Sequence, residues 1–328
     1  MSDFPNFALS DELLARSEDL LVLGAGKHEM ILRISDWPQA GGQTNVDILQ
    51  SHNEAGGSGM NVATTMARLG GHSALVAALG TGRYGQTVWD EMVKSGVNTN
   101  FVWRIEDSEG SLLIILTRDD GDWIVMQEND PRVQLSLNQL PTIEEMARYK
   151  IVHIDGFSYI EGDQAVIIEE GMARARAAGC LLSIDTAVPT VKQNAPYVAT
   201  LFQQCDLVFA NAYEAQQVTG VADSDDLIAS LRHLNVPLVI LKSGEQGSQL
   251  ITADAVGQMA AFRIKVVDTI AAGDSYTGAF LLGLCRGHSL ALAAEWGSAA
   301  GAMACLGTGS LSNRFDLADL LSFIESNR

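Results

Sequence analysis

Apolar runs of strand length alternate with small-residue helical stretches along most of this chain, and that alternation leaves few architectures open. LLVLGAG (20–26) reads as a buried strand, GMNVATTMARL (59–69) as a helix and HSALVAALG (72–80) as the next strand. TVWDEMVKSG (87–96) reads as a helix closed by a glycine, the usual residue past a helix C-terminus. Farther on come strands at 149–156, 180–186, 205–211 and 237–244, interleaved with helices over 163–178 and 223–233. Strands without polar alternation, separated by helices, predict an α/β fold whose central, mostly parallel sheet is covered on both faces.

Two stretches break the rhythm. Residues 31–55 and 97–127 hold short alternating runs (ILRIS, NFVWRI, SLLIILTR, DWIVMQE) with turn pairs at Gly41-Gly42 and Asp120-Gly121. They predict hairpins that form a small antiparallel β lid inserted into the core. Residues 1–17 are expected to be a peripheral arm, and 18–328 one domain. With 47% hydrophobic residues, a chain of 328 residues can fill such a core.

Charge narrows the partners. Lys plus Arg total 21 against 40 Asp plus Glu, a net charge of −19, which repels phosphate backbones and argues against nucleic-acid binding. Small anions remain allowed, because helix N-termini can hold a phosphate in an acidic protein. No apolar run reaches membrane-spanning length, and no secretory signal is evident, so a cytoplasmic location is expected. Cys180, Cys205, Cys285 and Cys305 are widely spaced and read as reduced core thiols.

Three glycine-containing stretches could meet phosphate or a ligand. LVLGAGKHEM (21–30) fails as a dinucleotide fingerprint, because Glu29 stands at the third glycine position. No GxxxxGK[ST] stretch exists, so a Walker-type loop is excluded. EAGGSGMNVATTMARLG (54–70) places Gly56, Gly57 and Gly59 before a helix starting near Asn61. That is either an ordinary tight turn or a backbone that a hydroxylated ligand can approach, with Asn61 as donor and acceptor.

The third, VVDTIAAGDSYTGAF (266–280), carries the most chemistry. Ala271, Ala272 and Gly273 leave backbone amides uncovered as a helix begins, which suits an anion or the charge on a transferring phosphoryl group. Asp274 is then either a favourable first-turn charge or a general base taking the proton of an attacking hydroxyl. Asp268 could orient the loop or bind a cation. His28 and His153 lie near strand ends, but Asp274 makes a histidine base unnecessary.

With these residues in place, the chain resembles ribokinase-like (PfkB-type) carbohydrate and nucleoside kinases. DTIAAGD and GGSGMNVATTMARLG resemble two family signatures, NAYE (211–214) its NxxE motif, and LKSGEQGS (241–248) its nucleotide-binding strand and turn. The resemblance spans roughly residues 20–325 and implies ATP, Mg2+ and transfer of the γ-phosphate to a hydroxyl. It implies Asp274 as base, with Ala271, Ala272, Gly273 and the Asp274 amide as the anion hole. It places Asn211 and Glu214 near the phosphates and the magnesium-water shell. Lys242, Gly244 and Gly247 would line the nucleotide, and Ser298 would flank the adenine. Gly56, Gly57 and Asn61 would contact the sugar, and Asp268 with the Ile270 carbonyl resembles a monovalent-cation (K+) site. Asp155 falls where some members place an acidic sugar ligand.

Two departures stand out: Glu29 where sugar kinases usually carry Asp, and Ser58 where the family often has Lys. Both weigh against ribose as the acceptor. The resemblance also implies a lid that closes over substrate and serves as a homodimer interface. A nucleoside kinase is the alternative acceptor class, with Trp103 and Trp123 as candidate purine walls. A catalytically silent sugar or nucleotide sensor is the alternative outside enzymes, though a sensor needs no base.

Overall fold

A computed structural model describes residues 4–39, 41, 45–118, 123–158, 164–311 and 313–327. The chain runs α1 (Asp11–Leu14), β1 (Glu18–Leu23), β2 (Lys27–Ile34), β3 (Ile48–Gly56), α2 (Ser58–Arg68), β4 (Ser73–Gly80), α3 (Arg83–Ser95) and β5 (Val102–Ile105). It continues β6 (Leu112–Thr117), β7 (Trp123–Glu128), α4 (Ile143–Met146), β8 (Tyr149–Ile154), α5 (Gln164–Ala177), β9 (Leu181–Asp185), α6 (Val188–Phe202) and β10 (Leu207–Asn211). It ends α7 (Ala212–Thr219), α8 (Ser224–His233), β11 (Leu238–Lys242), β12 (Ser248–Ile251), β13 (Val256–Met259), α9 (Ala272–Cys285), α10 (Leu290–Ala304) and α11 (Leu317–Asn327).

Among the described residues nine strands form the main sheet in the order β13-β12-β11-β10-β9-β8-β1-β4-β5. All pairs from β11 to β5 are parallel, and only β12 and β13 run antiparallel at one edge. Strand β1 shows why the sheet needs cover on both faces. Leu20 and Val22 pack into one core with α2, α9 and α10, while Leu21 and Leu23 pack into the other with α5, α6 and α8. Successive side chains point to opposite faces, so an unbroken apolar run is buried twice. Helix α9 is buried all round from Ser275 to Cys285, as expected of a helix with no polar face.

The second sheet has the order β3-β2-β6-β7. Its outer pairs, β2·β3 and β6·β7, are antiparallel, and the central β2·β6 pair is parallel. The expected lid stretch 97–127 therefore divides. Val102–Ile105 is β5, a parallel edge strand of the main sheet aligned with Ala77–Gly80, rather than a hairpin strand. The reason is Phe101, which packs into the core with its ring 6.5 Å from that of Tyr149 and draws the segment onto β4. The Asp120-Gly121 turn and Gly42 lie outside the described residues.

Before the first strand, Phe4, Phe7, Leu13 and Leu14 pack on the core. Arg16 donates to the carbonyls of Tyr149, Ala178 and Gly179, which fastens this segment to the strand layer. Gly96 closes α3 in the left-handed conformation, at φ 82°. Among the described residues no helix is long and apolar enough to cross a membrane.

Chain order reverses at β1. From there the chain adds β4 and β5 on one side and β8 to β11 on the other. In open parallel sheets such a switch point opens a crevice outside the carboxyl ends of the strands. Those ends carry Gly24, Asp155, Asp185, Asn211 and Lys242.

Candidate active site

Helix α9 aims its first turn at that crevice. It opens at Ala272, two residues before Asp274, behind Ala271 in the left-handed region at φ 55°. Among the described residues no side chain caps it. The N–H of Ala272 donates to Thr269 O at 3.3 Å, while Gly273 and Asp274 stand where no intrahelical carbonyl is in reach. A β-carbon on Gly273 would lie 3.3 Å from Lys242 Nζ, so the ammonium sits against the helix start.

Asp274 is clasped from the glycine-rich stretch. Ser58 Oγ donates to its Oδ1 and Asn61 Nδ2 to its Oδ2, both at 2.9 Å. Gly57 makes the approach possible: its φ is 94°, and a β-carbon there would come within 2.8 Å of Ala25 O. Desolvation pushes the Asp274 carboxyl up to about 6, against the Asn61 bond and with help from the negative charge of Asp185. Among the described residues the buried Asn61 Oδ1 has no partner, which leaves an acceptor at the base. Ser58, read from sequence only as a missing lysine, thus touches the central carboxylate.

The acidic candidates on the sugar side are already engaged. Glu29 is 4% exposed; its Oε1 accepts from Gly57 N at 2.9 Å and its Oε2 from Ser310 Oγ. Its carboxyl fills the space of a Gly56 side chain, and burial raises its pKa to about 7. Asp155 is 1% exposed rather than facing solvent. Its Oδ2 accepts from Ala25 N, and its Oδ1 accepts from Phe157 N and Ser158 N. It ties the β1 and β8 ends together at the crevice floor, and a β-carbon on Gly24 or Gly59 would strike it.

On the other side, Asn211 and Glu214 form a reciprocal cap on α7: Asn211 Oδ1 takes Glu214 N at 2.9 Å and Glu214 Oε2 takes Asn211 N at 2.8 Å. Burial, then the charge of Asp185, raises Glu214 to about 7. Lys242, beside Asn211 in the strand register, bonds both oxygens of Asp185 at 3.1 and 3.0 Å. Gly244 and Gly247 make the β11–β12 turn at positive φ, and a β-carbon on Gly247 would strike Met259 O. Ser298, on α10, donates to Ala260 O.

Asp268 accepts from Ile270 N at 3.0 Å and Gly309 N at 2.9 Å, clasping the loop before α9. Among the described residues no group of three or more His, Cys, Asp or Glu could by itself hold a metal. His153 is fully buried against Ser183 and lowered to about 4 by desolvation, and His28 on β2 has its ring 5.0 Å from the ring of Tyr84 on α3. Trp103 lies on β5 in the main sheet and donates to Gln139 O, which removes it as a lid wall. Trp123 is exposed on β7.

The structure brings together Asp274, Gly273, Asn61, Ser58 and Lys242 through hydrogen bonds or near contact, and adds Asp185, which sequence reasoning passed over. Its signal was present: CLLSID ends an apolar strand in aspartate just as KIVHID does.

Comparison with known proteins bears on the fold and the family. The family model for pfkB family carbohydrate kinases matches residues 30–314. Fructokinase-2 of Solanum habrochaites is 29% identical over 233 residues, 69% of this chain and 71% of that protein. Adenosine kinase of Sinorhizobium meliloti superposes with a TM-score of 0.82 at 21% identity, over 95% of this chain and 99% of that one. An E. coli protein described as a ribokinase II, solved with ATP and Mg2+, also gives 0.82, at 17% identity over 94% and 99% of the two chains. The chain belongs to the pfkB family and is a carbohydrate kinase.

Proposed function

We propose that the chain moves the γ-phosphate of ATP to a sugar hydroxyl with Asp274 as general base. The observation that carries this is Asp274 at the open N-terminal turn of α9, held by Ser58 and Asn61 with its pKa raised to about 6. A carboxyl near 6 is ionised at neutral pH yet basic enough to take a hydroxyl proton. As the acceptor oxygen bonds to the γ-phosphorus, the bond to the β,γ-bridging oxygen breaks, ADP leaves with that electron pair, and the proton passes to Asp274. The amides from Ala271 to Asp274 face the charge on the transferring group, with those of Gly273 and Asp274 the freest.

Glu214 and Asn211 stand at the phosphate side. Glu214 would fit a magnesium ion through water, since its Oε2 serves the Asn211 amide and no group of three or more His, Cys, Asp or Glu among the described residues forms a cage. The chemistry that a bound Mg2+ supplies is neutralisation of the β- and γ-phosphate oxygens. Asp268 already serves the backbone with both oxygens, and none of the steps above uses a potassium ion there.

Gly56, Gly57 and Asn61 form the sugar side, with the free Asn61 Oδ1 as a hydroxyl acceptor. Glu29 and Asp155 shape that side chiefly by holding backbone, so they select the acceptor through the positions of Gly57 and Ala25. The fructokinase relatives make fructose the first acceptor to try. An ADP-release assay over fructose, other hexoses, pentoses and nucleosides tests the reading. Turnover of a free sugar supports it, turnover confined to nucleosides replaces it with nucleoside kinase, and tight binding without ADP release from any acceptor supports a sensor.

The lid also supports a homodimer. Edge strand β7 exposes Trp123, Ile124, Val125 and Met126 in succession, and edge strand β3 exposes Ile48 and Leu49. Exposed apolar edges pair readily with a second copy.

A further inference from the structure

Lys242 and Asp185 do not meet by local geometry. They end β11 and β9, with β10 between them, and the lysine crosses the Phe209 ring at 5.8 Å to reach the aspartate. Asp185 is held on every side: Thr186 N donates to its Oδ1 at 2.9 Å and Thr277 Oγ1 to its Oδ2 at 3.0 Å, besides the two Lys242 contacts. Thr277 lies one turn after Asp274 on α9. One carboxylate therefore locks the ammonium and the base-bearing helix to each other.

A buried ion pair is a poor stabilising device, since apolar replacement is often neutral or better, so its place in the fold is what must be explained. This pair sits at the phosphate end of the crevice. The ammonium lies 3.3 Å from the position of a Gly273 β-carbon, and its side chain keeps 17% of its surface exposed. Two Asp185 oxygens occupy part of the ammonium's donor capacity, and a third N–H remains. Asp274 and Glu214 both feel its field, and together with Asp185 they make three carboxylates around one cation. A triphosphate entering there adds further negative charge, so the positive charge that meets it has to be fixed in advance.

We propose that Lys242 is the side-chain cation that stabilises the transferring phosphoryl group over Gly273, and that Asp185, through Thr277, is the positioning residue that holds it there. This rests on the kinase reading above. The amides of the α9 start and the ammonium then flank one anion from two sides. Ser58 on the glycine-rich turn donates to Asp274 and brings no charge of its own.

The test compares Lys242→Met, Asp185→Asn and the double variant in the full-length chain, measuring kcat, KM for ATP and ADP affinity with an acceptor found by the screen. Lys242→Met is expected to lower kcat by on the order of 10²-fold while ADP affinity changes less than about threefold, because the contact forms with the transferring group. Asp185→Asn is expected to lower kcat by about tenfold or more. The double variant is expected to be no worse than Lys242→Met, since Asp185 acts through the lysine. Lys242→Met leaves Asp185 buried without its cation; if it fails to fold, the double variant, which removes both charges, carries the test. A folded Lys242→Met or double variant within about threefold of wild-type kcat overturns the proposal, as do single losses that multiply in the double. Failure of the wild-type chain to phosphorylate any acceptor would instead remove the kinase reading itself.

Discussion

Gly273→Ala separates the chemistry of the α9 start from its stability. Gly273 lies in the first turn of α9 and is not among the residues at positive φ, so alanine adds no left-handed strain and gains at most about 1 kcal/mol of helix propensity. Its new methyl would lie 3.3 Å from Lys242 Nζ and 4.0 Å from Lys242 Cε. The first distance is tight, and a flexible lysine end can yield by a few tenths of an ångström. At ~2.1 cal/mol/K per residue, 328 residues give about 0.7 kcal/mol per degree, so Tm should hold or rise by about 1 °C. The same methyl stands where the phosphoryl group is expected and nudges the cation beside it. The loss expected in kcat is on the order of 10²-fold, comparable to losing one oxyanion donor. Calorimetry and an ADP-release assay on one preparation read both effects. Near wild-type kcat with unchanged Tm would show that no phosphate approaches Gly273, and a Tm drop of several degrees would refute the packing argument.

Three further outcomes follow from the same geometry. The acid limb of kcat/KM should bend near pH 6 as Asp274 is protonated and fall about tenfold per pH unit below it; a flat profile between pH 5 and 7 would contradict the base. Glu29 is raised from 4.5 to about 7, so the stability its protonated form contributes is present below pH 4.5 and lost as pH rises through 7. A shift of that size is worth roughly 3 kcal/mol, and Glu29→Gln should flatten the decline of Tm between pH 5 and 8; equal slopes for wild type and variant would refute it. Wild type is expected to sediment as a dimer and Val125→Lys on β7 as a monomer; a monomeric wild type, or a variant that stays dimeric, would contradict pairing through the lid edge.

The layered fold was legible because β1, β4, β8, β10 and β11 each carry an apolar stretch without regular polar alternation, set between helical stretches, a pattern that suits a doubly covered sheet. The 267–274 turn was legible because its small residues and its acid are contiguous. What escaped depends on distance along the chain. Asp185 and Lys242 are 57 residues apart, and only the strand register brings them together. The backbone duties of Glu29 and Asp155 depend on Gly57, Ser310 and Ala25, whose proximity no local pattern encodes. Phe101 moved β5 out of the lid because burial against Tyr149 outweighed an alternating pattern that also suits a hairpin. The left-handed Ala271 was hidden too, since alanine gives no sign of a conformation that usually selects glycine.

The measurement that bears most directly on the account is single-turnover transfer of labelled γ-phosphate by Asp274→Asn, with the native state checked by its melt. Asparagine keeps the size of the side chain and, through its oxygen, can keep one of the bonds from Ser58 and Asn61, while losing the ability to take a proton. The account predicts a folded protein that still binds ATP and acceptor, with transfer slowed by on the order of 10²-fold or more and no acid limb near pH 6. A folded Asp274→Asn protein that transfers phosphate near the wild-type rate would contradict it.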